Sequence, residues 1–87
     1  MLCLVLWSAS SRQGILWDVY TDAGTESYEQ GNYTEAKKLW VAALKEAEKF
    51  GHDDPHLATS LTNLGLLYQI QGKYGEAEPL YRQSKRL

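Results

Sequence analysis

Two histidines and two aspartates stand within one short segment of the chain: His52, Asp53, Asp54 and His56. Imidazole nitrogens and carboxylate oxygens are common protein ligands of zinc. A stable metal centre also needs ligands that converge on one point and neighbouring groups that hold them there. Four ligands in one short loop point in different directions, so we expect no metal here. Asp54 followed by Pro55 is instead typical of a helix start, with a carboxylate cap and a proline in the first turn.

Other arrangements that support catalysis are missing from the sequence. It contains no glycine-rich phosphate loop, no nucleophile elbow and no paired carboxylates with catalytic spacing. Cys3 has no histidine nearby that could activate its thiol. We therefore expect no catalytic residue, no cofactor and no metal, and we predict that the chain is not an enzyme.

Charge and composition restrict the possible partners. The chain has 9 basic and 11 acidic residues, a formal net charge of -2, and no cluster of lysine and arginine that could neutralise a run of phosphates. We expect no nucleic acid partner. The apolar run at residues 1–7 is far shorter than the roughly 20 residues of a membrane span, so we expect no membrane partner, while a truncated targeting segment stays open. The single cysteine favours the reducing cytoplasm.

The elements that position these residues follow from an internal repeat. Residues 30–36 read QGNYTEA, and residues 71–77 read QGKYGEA. The distance along the chain from Gly31 to Gly72 is called the repeat interval below. The same interval pairs further residues: Gly24 with Gly65, Leu39 with Leu80, and Trp40 with Tyr81. A fixed repeat of this length is typical of stacked helical units.

Within each copy, apolar residues recur at steps of three and four, which is the period of an amphipathic helix. The pattern predicts two helices in each copy, beginning near Trp17, near Tyr33, at Pro55 and near Gly75. We therefore predict an all-α fold of antiparallel helical hairpins. Residues 1–16 are expected to form an irregular segment or a short helix, residues 17–51 a first unit, and residues 52–87 a second.

The second copy carries the most specific motifs. Residues 61–68 read LTNLGLLY, and residues 71–81 read QGKYGEAEPLY. Together with the repeat, these motifs resemble the tetratricopeptide repeat, and in particular the variant of kinesin light chains, whose period is slightly longer than the usual 34 or so residues. The resemblance implies a short right-handed α-solenoid of about two units, and a scaffold that binds other proteins.

In the family that this chain resembles, the first helix of each unit lines a concave groove that receives a peptide. Carried over to this chain, the resemblance implies a groove lined by residues of the first and third helices. From the first helix these are Asp18, Thr21, Asp22, Thr25, Tyr28 and Glu29, and from the third Thr59, Thr62, Asn63, Leu66, Gln69 and Ile70.

Asn63 is the residue most expected to bind a peptide. Its side-chain amide both donates and accepts hydrogen bonds, so it could hold an extended backbone whatever the peptide sequence. An exposed polar residue without a binding role is the equal alternative. Leu66, Ile70 and Tyr28 are expected to receive an apolar anchor.

The expected partner is a protein or a peptide. The carboxylates of Asp18, Asp22 and Glu29 favour a basic or neutral one. Because two repeats bury little core, we also expect self-association through exposed repeat ends. The patch expected to mediate it comprises Leu66, Leu67, Ile70, Leu80 and Leu87. Two alternatives remain open: a structural or capping unit of a longer repeat array, and a regulatory module of a multidomain enzyme or signalling protein.

Overall fold

The computed structural model describes the backbone of residues 2–86 and the side chains of residues 14–86. These residues form four helices: α1 (Leu2–Glu29), α2 (Tyr33–Glu48), α3 (Pro55–Ile70) and α4 (Tyr74–Arg86). Residues 2–86 contain no strand. The all-α prediction is confirmed.

The helices pack as two hairpins. A short turn joins α1 to α2 in the first hairpin, and another joins α3 to α4 in the second, so the helices of each pair run antiparallel. The hairpins meet where α2 packs against α3, and α1 also contacts α3. The resulting body is a thin slab of 51 × 30 × 13 Å. A slab only one hairpin thick leaves one side of α1 and α3 open to solvent.

Both hairpin turns are built in the same way. Gly31 and Gly72 adopt left-handed φ angles of 80° and 78° just past the first helix of each hairpin, a conformation that favours glycine because it has no Cβ. The residue after each glycine donates its backbone N–H back into the helix, from Asn32 to the Ser27 carbonyl and from Lys73 to the Tyr68 carbonyl, at 2.8 Å in both. The matching geometry confirms that the two sequence copies form equivalent hairpins.

Each hairpin is closed by an aromatic ring that lies over a glycine. A Cβ atom built on Gly65 would lie 2.8 Å from Cε1 of Tyr81, and one built on Gly24 would lie 2.5 Å from Nε1 of Trp40. Both distances are too short for a real contact. Glycine therefore lets the second helix approach the first, and the aromatic residue fills the space.

The apolar core lies between α2 and α3. One cluster consists of Ala36, Trp40, Leu64 and Leu67, and a second of Ala47, Leu57 and Leu61. Leu80 of α4 packs against both clusters. Residues from both hairpins contribute to each cluster, so neither hairpin can bury its apolar side alone.

The start of α3 has the predicted cap. The Asp54 carboxylate accepts a hydrogen bond of 2.8 Å from the backbone N–H of His56, and Pro55 occupies the first turn. This backbone bond, followed by the bond from the His56 ring, lowers the pKa of the Asp54 carboxyl below its ordinary value of 3.8. Asp54 is therefore a capping residue.

Two expectations about the ends of the chain need correction. The sequence pattern predicts a first helix from near Trp17, but α1 begins at Leu2, because no proline interrupts the segment and its leucines favour helix. The expected self-association patch is also not a continuous surface. Leu67 is fully buried and Leu80 is half-buried, since both lie in the core between the helices. The side chain of Leu87 is outside the described residues.

Candidate protein-interaction site

Four of the predicted site residues form a stripe along α3. Thr59, Asn63, Leu66 and Ile70 follow one another at steps of four, three and four, which places them on one side of the helix. Thr59 is exposed, Asn63 is half-buried, and Leu66 and Ile70 keep 37% and 49% of their surface exposed. Three of these four side chains are exposed, so most of this side of α3 is open to solvent.

A matching stripe runs along α1, one repeat interval earlier. It consists of Asp18, Asp22, Thr25 and Glu29, of which only Thr25 is half-buried. The Thr25 hydroxyl donates to the Thr21 carbonyl at 2.9 Å, within the helix. The three carboxylates thus remain accessible from solvent.

The two stripes lie on neighbouring helices. The indole Nε1 of Trp17 on α1 donates a hydrogen bond of 2.8 Å to Oγ of Ser60 on α3. The stripes occupy equivalent positions in equivalent hairpins, so they open toward the same side of the slab. We call these eight residues the shared face. The α1 half of the shared face is acidic, while the α3 half is polar at one end and aliphatic at the other.

Two predicted site residues on α3 contact α4 instead. The hydroxyl of Thr62 donates to the Ala58 carbonyl at 2.9 Å and forms a 2.8 Å hydrogen bond with Oγ of Ser84. Oε1 of Gln69 accepts a hydrogen bond of 2.9 Å from the Tyr81 hydroxyl. Both side chains are exposed but tied to the second helix of their own hairpin.

The equivalent residues of α1, Thr21 and Tyr28, likewise contact the second helix of their own hairpin, α2. Tyr28, predicted to lie in the groove, is half-buried, with its ring stacked 5.5 Å from that of Trp40 and tilted against that of Tyr33. The Thr21 carbonyl accepts a 3.1 Å hydrogen bond from Nε1 of Trp40. Helical spacing alone could not separate these positions from the stripe, because they lie one residue from Asp22 and Glu29.

In the segment that contains the two histidines and two aspartates, His56 packs against aromatic side chains and contacts Asp54. The ring of His56 lies 4.4 Å from that of Trp17 and 4.7 Å from that of Phe50, and its Nδ1 contacts the Asp54 carboxylate. Among residues with described side chains, no three potential ligands come close enough together to hold a metal ion. Nothing in the local sequence indicates that His56 joins the two hairpins, because Trp17 is distant from it in the chain.

Comparison with known proteins gives the family. A family model described as tetratricopeptide repeat matches residues 23–87, which comprise the end of α1 and all of α2, α3 and α4. No solved structure matches the chain. Within the described part of the chain, no helix is long and apolar enough to cross a membrane. The matched family consists of non-catalytic repeat scaffolds that generally mediate protein–protein interaction. With two equivalent hairpins and a match over most of its length, the chain belongs to the tetratricopeptide-repeat family.

Proposed function

We propose that the chain binds an extended segment of a partner protein along the shared face of α1 and α3. The observation that carries the proposal is the pair of aligned, accessible stripes on neighbouring first helices. The α3 residues of the core, Leu57, Leu61, Leu64 and Leu67, lie outside the stripe, and the α1 residues that pack against the core are Trp17 and Tyr28, which are also outside it. An extended segment lying across both helices would contact the two stripes at once.

Asn63 would hold the backbone of the bound segment. It is half-buried near the middle of its stripe, and none of the described side chains hydrogen-bonds to its amide. A side-chain amide can donate to a backbone carbonyl and accept from a backbone N–H of the same peptide. This role depends on the peptide backbone and would tolerate many sequences.

The charge and apolarity of the face favour a particular ligand. Asp18, Asp22 and Glu29 would attract lysine or arginine side chains. Leu66 and Ile70 would cover one apolar side chain of the ligand. The best ligand is thus a basic segment with an aliphatic or aromatic anchor.

An array of synthetic peptides tests this proposal. Peptides with one leucine or phenylalanine between lysines should bind the full chain, whereas peptides in which glutamate replaces each lysine should bind more weakly. Asn63→Ala should weaken the binding of the best peptide about five- to tenfold in fluorescence anisotropy, because a buried backbone hydrogen bond contributes about 1 kcal/mol. Its melting temperature should stay nearly unchanged.

Gln69→Ala is the matched control, because it removes an amide from the same helix outside the stripe. It should leave the peptide affinity unchanged. If Asn63→Ala and Gln69→Ala bind the peptides equally well, the proposed role of Asn63 is wrong. If no peptide of either charge binds, the shared face does not have the proposed function.

Several finer assignments are also proposals. We propose that the chain belongs to the kinesin-light-chain-like variant, supported by its long repeat interval and by the motif at residues 61–68. We further propose unit boundaries at residues 17–51 and 52–87, a cytoplasmic location supported by the single cysteine, and an absence of catalysis in this chain. Finally, we propose that copies of the chain associate through the exposed outer sides of their hairpins.

A further inference from the structure

The outer side of α1 carries two exposed aliphatic residues. Ile15 and Val19 each keep 54% of their surface exposed. One repeat interval later, the equivalent residues of α3 are His56 and Ser60, which the first hairpin covers. Ser60 is 1% exposed, and the His56 ring lies 4.4 Å from that of Trp17. In α3, these two positions therefore pack against the preceding hairpin.

The opposite end of the slab presents the complementary surface. Tyr33 of the first hairpin packs against the core cluster shared with α3, while its equivalent in the second hairpin, Tyr74, is 65% exposed. Ala36 and its equivalent Ala77 are both buried, at 0% and 2% exposure, so Ala77 is already covered by its own hairpin and Tyr74 is the residue that differs. The second hairpin thus retains part of the surface on which α3 rests in the first.

We call the contact between the two hairpins of one chain the inner junction, and the two outer sides of the slab the free ends. Some residues of the free ends differ from their equivalents at the inner junction, and the differences at the two ends complement each other. At the inner junction, Val41 packs against the cluster formed by Ala36, Trp40, Leu64 and Leu67, so this position of α2 has apolar surroundings. One repeat interval away, the positions of Val41 and Leu67 are taken at the free ends by Arg82 and Glu26, which are exposed and opposite in charge. Apolar residues within the chain are thus replaced by a pair of opposite charges at its ends.

A second pair of positions changes in the reverse direction. At the inner junction, Nε1 of Trp17 donates a 2.8 Å hydrogen bond to Oγ of Ser60. The equivalent residues at the free ends are Ala58 and Val19, which are both apolar. The polar pair Trp17 and Ser60 within the chain thus corresponds to the apolar pair Ala58 and Val19 between its ends. At these positions no charged side chain would face an apolar one.

We propose that a second copy of the chain stacks head to tail on the first. Helix α1 of the second copy lies on α3 and α4 of the first copy. Within one chain, α3 lies on α1 and α2 in the same way. Arg82 of one copy pairs with Glu26 of the next, and Ala58 with Val19. This stacking is a specific form of the self-association proposed above and rests on that proposal. Because the two contacting surfaces differ, the copies form open chains and not closed dimers.

The contact between copies is weaker than the inner junction. Lys85 takes the place of Leu44, which packs against both core clusters, so less apolar surface is buried. Arg82 already pairs with Glu78 in its own helix, but their side chains are 60% and 72% exposed. An exposed pair of this kind contributes little and can exchange partners. Association should therefore be reversible and concentration-dependent.

Charge reversal with the full chain tests the pairing by sedimentation velocity over a range of concentrations. Glu26→Arg and Arg82→Glu should each raise the concentration needed for association about tenfold or more, because each variant places like charges together. The double variant, and an equal mixture of the two single variants, should associate like the original chain. Lys38→Glu, a charge reversal on the exposed side of α2, is the control and should associate normally.

Cross-linking tests the direction of stacking. In a Cys3→Ser background, Glu26→Cys and Arg82→Cys chains should be joined by a short bismaleimide only when mixed. Cross-linking of either variant with itself would indicate a two-fold contact and overturn the proposal. So would single charge reversals that associate normally. A chain that stays monomeric at every concentration would overturn both the stacking and the self-association, while Asn63→Ala should associate normally whether or not peptide binding is lost.

Discussion

At the scale of single residues, the closest contact in the second hairpin joins Gly65 to the ring of Tyr81. The ring occupies the volume that any side chain at position 65 would need. Such a contact explains why the repeat pairs a glycine with an aromatic residue in both copies, Gly24 with Trp40 and Gly65 with Tyr81. The sequence showed the pairing as a recurring pattern, whereas the distances explain it.

Gly65→Ala should therefore destabilise the chain, although alanine is the better helix former. Its Cβ would lie 2.8 Å from Tyr81 Cε1, and forcing an extra carbon into a packed space costs about 1–3 kcal/mol. Gly75→Ala is the matched control, since a Cβ there meets nothing within 4 Å and should leave stability equal or about 0.5–1 kcal/mol higher. Urea denaturation followed by circular dichroism compares the two. Equal stability of both variants would show that the ring moves aside without cost.

At the scale of elements, each helix begins or ends at a local signal that can be read from the sequence. The glycine turns after α1 and α3 and the cap of α3 all fall where the residue types predict them. The beginning of α1 is the exception, because no capping or breaking residue marks it near Trp17. A helix boundary can thus be predicted from the sequence only where a capping or helix-breaking residue marks it.

The Asp54 cap should make the stability of α3 depend on pH. The folded pKa of Asp54 is lowered below 3.8, so its contribution is complete above that value and is lost as the pH falls through the lower, folded pKa. Asp54→Asn should melt like the original chain at neutral pH, because asparagine caps helices as well as aspartate does. Below pH 3.8, the melting temperature of the original chain should fall further than that of Asp54→Asn.

Asp54→Ala supplies the comparison. It should melt a few degrees lower at neutral pH, because the backbone N–H of His56 loses its acceptor. Thermal melts followed by circular dichroism measure all three chains. If Asp54→Asn and the original chain lose stability equally in acid, the cap does not depend on the charge of Asp54.

At the scale of the whole molecule, the two hairpins share their core. Leu64 and Leu67 of the second hairpin complete a cluster with Ala36 and Trp40 of the first. The chain buries little apolar surface in a slab 13 Å thick, and small domains are only marginally stable. The hairpins should therefore fold and unfold as one unit.

Leu67→Ala tests this coupling. Leu67 is fully buried, and removing a buried leucine side chain costs about 2–5 kcal/mol. Because all three tryptophans lie in the first 40 residues, indole fluorescence reports on the first hairpin, although Leu67 is in the second. In urea, fluorescence and circular dichroism should shift to the same lower midpoint. Leu66→Ala, at a neighbouring exposed position, should shift it little, and an unchanged fluorescence midpoint for Leu67→Ala would show that the hairpins unfold separately.

The candidate site could be predicted only in outline. Helical spacing together with the family resemblance placed Thr59, Asn63, Leu66 and Ile70 on one side of α3, where Thr59, Leu66 and Ile70 are exposed and Asn63 is half-buried. The same reasoning included Thr62, whose hydroxyl bonds to α4. Adjacent residues of a helix differ by only about 100° in direction. Pattern alone therefore cannot separate a residue on the open side from one at the edge of a helix contact.

By itself, the sequence determined the helical class, the number of repeats, the glycine turns and the cap of α3. These features depend on interactions between residues close together in the chain, such as the hydrogen bonds that close each turn. Only the tertiary structure decided that Tyr28 packs on Trp40, that His56 joins the hairpins, and that Leu67 is buried while Leu66 is not. The reason is physical: these outcomes depend on which side of a helix meets a neighbour that is distant in sequence, and that neighbour's position is set by packing of the whole chain.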